Sequence, residues 1–141
     1  MIIGTLKEKK KFENRVAISP DEVKSYLKSG HQVLIEKGAG SLSGFTDKSY
    51  KEAGATITDS KEVLKTSEII IKINCPSPEE SKLISNKAMV VSQISTQNNQ
   101  ESIKILNSRK VSAFALELVP RITRAQDMDI LSSQANLAGY H

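Results

Sequence analysis

Two cationic side chains of this sequence stand where they could bind an anionic small molecule. Arg15 lies in a long polar stretch, residues 7–19, and its planar guanidinium could hold a carboxylate or a phosphate. Lys72 follows the apolar residues 69–71, so its ammonium must either reach solvent or meet a partner. The sequence equally allows Arg15 to anchor its loop by pairing with a neighbouring acid.

The stretch beyond Pro120 adds further binding groups, because proline cannot continue a sheet ladder and the preceding strand must end there. The apolar residues that follow recur three or four positions apart, as one helix face requires: Met128, Leu131, Ala135 and Ala138. Gln126, Asp129 and Ser133 lie beside that face, and Arg121 stands in the loop that enters the helix. This pattern favours small-molecule recognition, but an ordinary solvated amphipathic helix would have it too.

The composition argues against several classes of protein. A net charge of +4, without a basic face that carries stacking aromatics, argues against nucleic-acid binding. The single cysteine, Cys75, allows no internal disulfide and fits a reducing compartment. The histidines at 31 and 141 lack the spacing of metal ligands. No signal peptide and no apolar run of the roughly 20 residues needed for a membrane span is visible, so we expect a cytoplasmic protein with no direct membrane insertion.

The elements that must position these residues alternate between strand and helix. We predict strands over residues 1–6, 32–36, 56–58, 68–73, 88–92 and 111–116. Helices are predicted over 20–29, 47–53, from 59, over 78–84 and over 98–108, with capping boxes at Ser19, Asp59 and Ser77. The continuous isoleucines of residues 68–73 indicate a strand buried on both faces, and we also expect the last strand to be buried.

The fold class is therefore α/β. We expect one domain over 1–141, in three layers, with a mostly parallel twisted sheet and helices on both faces, of flavodoxin-like or Rossmann-like type. Ligands of such sheets bind beyond the carboxyl ends of the strands. Four segments should meet there: the loop with Arg15, the strand end with Lys72, the turn 93–97 and the loop with Arg121. The glycines at 38, 40 and 44 are interpreted as a tight turn, because their spacing is one residue too long for a dinucleotide loop.

Three stretches in order carry a family resemblance over essentially the whole chain. They are IIGTLKE with ENRVAISPDEVKSYLKSGHQVLIEKGAG, then IIIKINCPSPEE, then VPRITRAQDMDILSSQANLAGY. They resemble the N-terminal domain shared by alanine dehydrogenases and the alpha subunit of proton-translocating NAD(P) transhydrogenase. In that family a glycine-rich NAD-binding domain follows, so the resemblance implies a second domain beyond His141 that these residues do not contain.

The resemblance implies roles for the first two cations. In alanine dehydrogenases the residue that matches Arg15 holds the substrate carboxylate, and the residue that matches Lys72 contacts the substrate carbonyl. The dehydrogenases also carry an acid/base histidine where this sequence has Ser95. Transhydrogenase alpha subunits lack that histidine, although they usually have tryptophan and proline near the position of Ser95 and Thr96. The resemblance therefore points toward the transhydrogenase, a translocase in which no residue of this chain would be catalytic.

In the transhydrogenase subunits, the matching loop and helix start reach the nicotinamide ring and its ribose. The residues to which this implies a cofactor-binding role are Arg121, Gln126, Asp127, Met128, Asp129 and Ser132. The complete enzyme would use NAD(H), with NADP on a partner subunit, and this chain alone would be inactive and bind no nucleotide tightly. Expected partners are further copies of the chain, an NAD-binding domain, a membrane subunit that gives it a peripheral position at the inner membrane, and an NADP-binding subunit. An alanine dehydrogenase-like fragment and a non-catalytic remnant or assembly module stay open as alternatives.

Overall fold

The computed structural model describes residues 1–86 and 88–115 of the chain. The strands lie close to the predicted apolar segments: β1 (Ile2–Thr5), β2 (Gln32–Glu36), β3 (Thr56–Thr58), β4 (Ile69–Asn74), β5 (Met89–Gln93) and β6 (Ser112–Ala115). The helices alternate with them: α1 (Pro20–Lys28), α2 (Asp47–Ala53), α3 (Ser60–Thr66), α4 (Pro78–Leu83) and α5 (Gln100–Ser108). Short 3-10 turns cover Ser41–Ser43 and Thr96–Asn98. No helix in the described part of the chain is long and apolar enough to cross a membrane.

The sheet has the strand order β3-β2-β1-β4-β5-β6, and all five pairings are parallel. From β1 the chain runs outward through β2 to β3, and then returns to build β4, β5 and β6 on the other side. This is the Rossmann strand order, which distinguishes the fold from the flavodoxin-like alternative. The loops that follow β1 and β4 therefore lead to opposite sides of the sheet and leave a crevice at its centre, where ligands of this architecture bind.

Two apolar clusters, one on each face of the sheet, confirm the three layers. One joins Tyr26 of α1 and Tyr50 of α2 to Ile71 of β4, and the other joins Leu64 of α3 and Leu106 of α5 to the opposite side of the sheet. Ile69, Ile71 and Ile73 belong to the first cluster and Ile70 to the second, because successive strand residues point to opposite faces. The isoleucine run is thus buried on both faces, as predicted.

Two of the three predicted capping boxes are confirmed. Ser19 and Ser77 each accept a hydrogen bond from the backbone of the glutamate three residues on, and that glutamate bonds back to the serine N–H. At α3 the reciprocal bond is not formed, so the prediction of a capping box is wrong there. Asp59 caps the helix, but the Glu62 carboxylate accepts from the Thr66 hydroxyl at 3.1 Å, one turn further along.

The later elements differ more from the sequence-based boundaries. Residues 96–98 form a 3-10 turn, so α5 begins two residues after its predicted start. β6 is not the buried strand predicted for residues 111–116, because Ser112 and Ala113 are exposed and Phe114 and Ala115 are half-buried. β6 is the last strand of the described sheet, and only one neighbour, β5, pairs with it there. Leu116 and the predicted helix beyond Pro120 lie outside the described residues.

Candidate functional site at the carboxyl edge of the sheet

A group of charged and amide side chains lies where the chain leaves β1 and β4. Glu8, Glu13 and Arg15 come from the long loop after β1, and Lys72 and Asn74 from the end of β4. Regular pairing between β1 and β4 ends at Thr5 and Ile71, and the register of β4 with β5 shifts between Ile71 and Asn74. The last residues of β4 thus have no strand partner on the β1 side, and the loop fills that place. We call these five residues the edge network.

The Lys72 ammonium is buried in this network and not at the surface. Its Nζ lies 3.3 Å from Oε1 of Glu8, and the two residues are 2% and 6% exposed. The interpretation of Lys72 as a strand-end lysine that reaches solvent is therefore wrong, and the alternative that it meets a partner is confirmed. Two charges this deeply buried require each other, because an unpaired buried charge is strongly unfavourable.

Glu8 binds more than the lysine. Its Oε2 accepts the backbone N–H of Ile73 at 3.0 Å, and its Oε1 accepts the backbone N–H of Asn74 at 3.1 Å. Its Oε1 also accepts from the Asn74 amide at 3.4 Å. The carboxylate thus takes the donors that a longer β1 would have paired.

Arg15 forms a bidentate pair with Glu13. Nε and Nη2 donate to the two carboxylate oxygens, each at 2.9 Å, and the Arg15 backbone N–H donates to Oε2 at 3.2 Å. The hydrogen bonds from Arg15, with a further one from Asn74, hold the pKa of Glu13 at about 2, well below its ordinary range. The same pair raises the pKa of Arg15. The alternative that Arg15 anchors its loop through a neighbouring acid is confirmed, and its role in ligand binding stays a prediction.

Asn74 links the two ion pairs. Its side-chain amide donates to Oε1 of Glu13 at 2.9 Å and to Oε1 of Glu8 at 3.4 Å. The edge network is therefore continuous from Arg15 through Glu13, Asn74 and Glu8 to Lys72. Its two carboxylates and two cations balance, so it offers a ligand directed hydrogen bonds rather than excess charge. The Arg15 side chain is 37% exposed and is the cation of the network that a ligand could reach directly.

Glu8, Glu13 and Asn74 were not predicted as members of the site. Glu8 stands in the long polar stretch of residues 7–19, next to Lys9 and Lys10, and both of those lysines are exposed. A signal was present, however. A lysine at the end of a doubly buried strand needs a carboxylate, and Glu8 is the first acid after the neighbouring parallel strand.

The turn after β5 adjoins the network, since Gln93 pairs with Asn74. Ser95 is exposed in this turn and has a positive φ of 46°. Its hydroxyl accepts from the Asn98 amide at 3.2 Å, and its carbonyl accepts from Asn99. His31 precedes β2 at the opposite edge of the sheet. No imidazole therefore lies at the carboxyl edge in the part of the chain that the structure describes.

Three of the four segments predicted to meet are thus adjacent: the Arg15 loop, the end of β4 and the turn after β5. The fourth, the loop with Arg121, lies outside the described residues. So do the other residues to which the resemblance gave a cofactor-binding role: Gln126, Asp127, Met128, Asp129 and Ser132. Their roles stay predictions.

The glycine segment after β2 is a turn. Gly38 has a φ of 80°, which glycine adopts readily, and its N–H donates to Oδ1 of Asp47 at 2.9 Å. Gly40 packs closely against the ring of Tyr50. An amide already bonded to a carboxylate cannot cradle a phosphate, which agrees with the tight-turn interpretation.

Comparisons with known proteins place this geometry in context. Residues 4–138 match the family model described as alanine dehydrogenase/PNT, N-terminal domain. The chain is 42% identical over 140 residues to NAD(P) transhydrogenase subunit alpha of Haemophilus influenzae, covering 99% of this chain and 27% of that protein. It is 37% identical over 140 residues to alanine dehydrogenase of Methanococcus maripaludis, covering 99% of this chain and 37% of that protein. The chain thus spans about a third of the length of these relatives.

A solved structure agrees with the sequence relatives. The transhydrogenase of Sinorhizobium meliloti superposes with a TM-score of 0.83 at 41% identity, over 99% of this chain and 42% of that one. The all-parallel sheet and the helices on both of its faces are therefore shared with a relative of known structure.

Proposed function

The chain belongs to the family of the alanine dehydrogenase/PNT N-terminal domain, and we propose that it acts as the N-terminal part of an NAD(P) transhydrogenase alpha subunit. In this role it positions the nicotinamide of NAD(H) for hydride transfer to NADP. One observation carries the choice of transhydrogenase over alanine dehydrogenase. The turn that adjoins the edge network contains Ser95 and no histidine.

The chemistry of the two reactions explains why the residues of this turn distinguish a transhydrogenase from an alanine dehydrogenase. Reduction of a carbonyl substrate requires a group that delivers a proton near neutral pH, and imidazole is suited to that task. The Ser95 hydroxyl accepts a hydrogen bond from Asn98 and does not ionise near neutral pH. Hydride transfer between two nicotinamide rings needs no proton from the protein. It needs the rings held face to face at contact distance.

The residues of this chain would bind the nicotinamide end of a dinucleotide and not its pyrophosphate. The edge network lies at the strand switch point and offers the half-exposed guanidinium of Arg15 to a polar group such as a carboxamide or a ribose hydroxyl. Gln126, Asp129 and Arg121 would add further hydrogen bonds from the segment beyond β6. The glycine turn does not fit a pyrophosphate, because the Gly38 amide is bonded to Asp47. The pyrophosphate is therefore assigned to a separate NAD-binding domain.

The wider setting follows from the same assignment. Relatives named as an alpha subunit work with other subunits, and for this chain we propose a membrane subunit and an NADP-binding subunit as partners, with further copies of the chain itself. Its position would be cytoplasmic and peripheral to the membrane. Without the NAD-binding domain it would bind NADH weakly and have no transhydrogenase activity.

A titration of NADH tests the proposal. NADH fluorescence is followed with the chain alone, with a recombinant NAD-binding domain from a transhydrogenase relative, and with both together. Saturable binding that is tighter with both than with the added domain alone supports the proposal, and Gln126→Leu should weaken it. Gln32→Leu is the matched control and should leave binding unchanged, because Gln32 is exposed at the start of β2, at the opposite edge of the sheet. Pyruvate-dependent oxidation of NADH by the mixture would favour alanine dehydrogenase chemistry and overturn the proposal.

A further inference from the structure

We propose that Glu8 is the positioning residue of the edge network, and that its carboxylate sets the place of Arg15, which it does not touch, as well as that of Lys72, which it does. The inference deepens the proposed function, since it concerns the residue that would present the ligand-facing guanidinium. The ligand is not needed to test it.

The first step is the fixed position of Glu8 itself. The residue is 6% exposed, and its two oxygens receive the backbone N–H groups of Ile73 and Asn74 as well as the Lys72 ammonium. Backbone donors at a strand end cannot rotate away as side chains can. Glu8 is therefore attached to the rigid sheet at three points, whereas the rest of the long loop has no regular secondary structure.

Glu8 in turn fixes the position of Asn74. The Asn74 backbone N–H and its side-chain amide both donate to Oε1 of Glu8, at 3.1 and 3.4 Å. The backbone bond holds the main chain of Asn74 beside Glu8, and the side-chain bond points the amide toward the same oxygen. Its amide then donates to Glu13 at 2.9 Å, the shortest of its bonds in this network.

The third step leads from Glu13 to the guanidinium. Both Glu13 oxygens are engaged by Arg15 in a planar fork, which has little freedom once the carboxylate is fixed. Asn74 is the strand residue that ties this pair to the sheet. The loop itself is also held by the Ser43 hydroxyl on the Asn14 carbonyl and by the Glu13 N–H on the Lys10 carbonyl. Replacing Glu8 should therefore loosen Arg15 through Asn74, in addition to the smaller direct attraction between the Glu8 charge and Arg15. Glu8 makes no hydrogen bond to Arg15 or Glu13.

The experiment measures hydrogen exchange of the arginine Nε–H groups by nitrogen-15 NMR of the full chain. The Arg15 Nε–H is bonded to Glu13, and the Arg109 Nε–H, bonded to the Ile84 carbonyl at 3.0 Å, provides an internal reference on the other face of the sheet. Glu8→Gln should accelerate exchange at Arg15 by about fivefold or more, which corresponds to one lost hydrogen bond. Exchange at Arg109 should stay within about twofold of its original rate.

Three further variants separate positioning from a general loss of stability. Asn74→Ala should accelerate hydrogen exchange at the Arg15 Nε–H as Glu8→Gln does. This variant keeps the test decisive if Glu8→Gln does not fold. Glu8→Asp, which keeps the charge, should restore part of the protection. Glu36→Gln is the matched control, because Glu36 is a half-buried carboxylate nearby that accepts the Lys7 N–H and, within the described residues, forms no hydrogen bond with Asn74.

The outcomes distinguish this inference from the proposed function. Unchanged exchange at Arg15 in both Glu8→Gln and Asn74→Ala overturns it, and so does equal acceleration at Arg15 and Arg109. If exchange at Arg15 accelerates as expected while NADH fails to bind in the titration above, the role of Glu8 is supported and the proposed function is refuted. If NADH binds and exchange at Arg15 does not change, the proposed function is supported and Glu8 is only a structural partner of Lys72.

Discussion

Replacing Lys72 by methionine should be much more destabilising than replacing a surface lysine. Methionine has a similar length and no charge, so the change removes the ammonium and leaves the Glu8 carboxylate buried at 6% exposure without its cation. Removal of one partner of a buried ion pair costs roughly 3–5 kcal/mol. Glu8 keeps its donors from Ile73 and Asn74, which partly compensate the stranded charge.

We therefore expect a loss at the lower end of that range, about 3 kcal/mol in the free energy of unfolding at pH 7. At about 4 °C per kcal/mol for a chain of this size, the Tm should fall by about 12 °C. The double variant Lys72→Met with Glu8→Gln should recover at least about 1 kcal/mol relative to the sum of the single changes, because no unpaired charge is left.

Urea unfolding followed by circular dichroism measures these quantities, and Lys104→Met is the matched control. Lys104 is exposed on α5, so the loss of its ammonium should change stability by less than about 0.5 kcal/mol. Equal effects of Lys72→Met and Lys104→Met would refute the reasoning. A strictly additive double variant would likewise show that the two buried charges do not depend on each other.

Three other changes test separate parts of the structure. The folded-state pKa of Glu13 is about 2 against an ordinary value of 4.5, so its stabilising contribution is complete above about pH 4.5 and is lost as the pH falls toward 2. The stability difference between the original chain and Glu13→Gln, measured by urea unfolding, should therefore shrink over that interval, and a constant difference would contradict the assignment. Ser77→Ala should cost about 1 kcal/mol in the same assay through loss of the α4 cap, and no measurable loss would show that water replaces it. Gly4→Ala should lower the Tm by several degrees, because the added Cβ would meet the side chains of Ser67 and Val63 beside β1, whereas an unchanged Tm would mean that α3 shifts freely.

The helices could be predicted from the sequence because their signals are local. Ser19 and Ser77 stand three residues before the glutamates that complete their boxes, so each box can be recognised within four residues of sequence. Asp59 and Glu62 have the same spacing, yet Thr66 offers the glutamate a second donor and the box does not close. Propensity rules place the cap correctly and do not resolve that competition.

The strands were predicted nearly as well, and the errors have a common cause. β4 and β5 each begin one residue after the predicted start, since pairing with neighbours and not hydrophobicity decides where a ladder begins. The apolar composition of residues 111–116 suggested a buried strand. Its place at the end of the strand order leaves Ser112 and Ala113 exposed, and strand order is not encoded in any one segment.

The candidate site was predicted only in part, because its contacts are distant in sequence. Arg15 and Lys72 could be recognised by residue type and by the apolar run before Lys72. Glu8 lies 64 residues from Lys72, and its role appears only when β1 and β4 are placed side by side. Asn74 was overlooked since an amide after a strand is common, and only the two acids that face it give it a specific function.

The central position of β1 has a consequence for how this protein folds. The first strand of the chain is the one that joins β2 and β3 to β4, β5 and β6, through pairings with residues about 30 and about 66 positions away. Closing such long loops is entropically costly, so an all-parallel sheet of this order should fold slowly for its size. On the ribosome, residues 2–5 emerge before residues 69–71, so they must wait for those residues before the sheet can close. In that interval the nascent chain has a half-built sheet whose central edge is open to other strands.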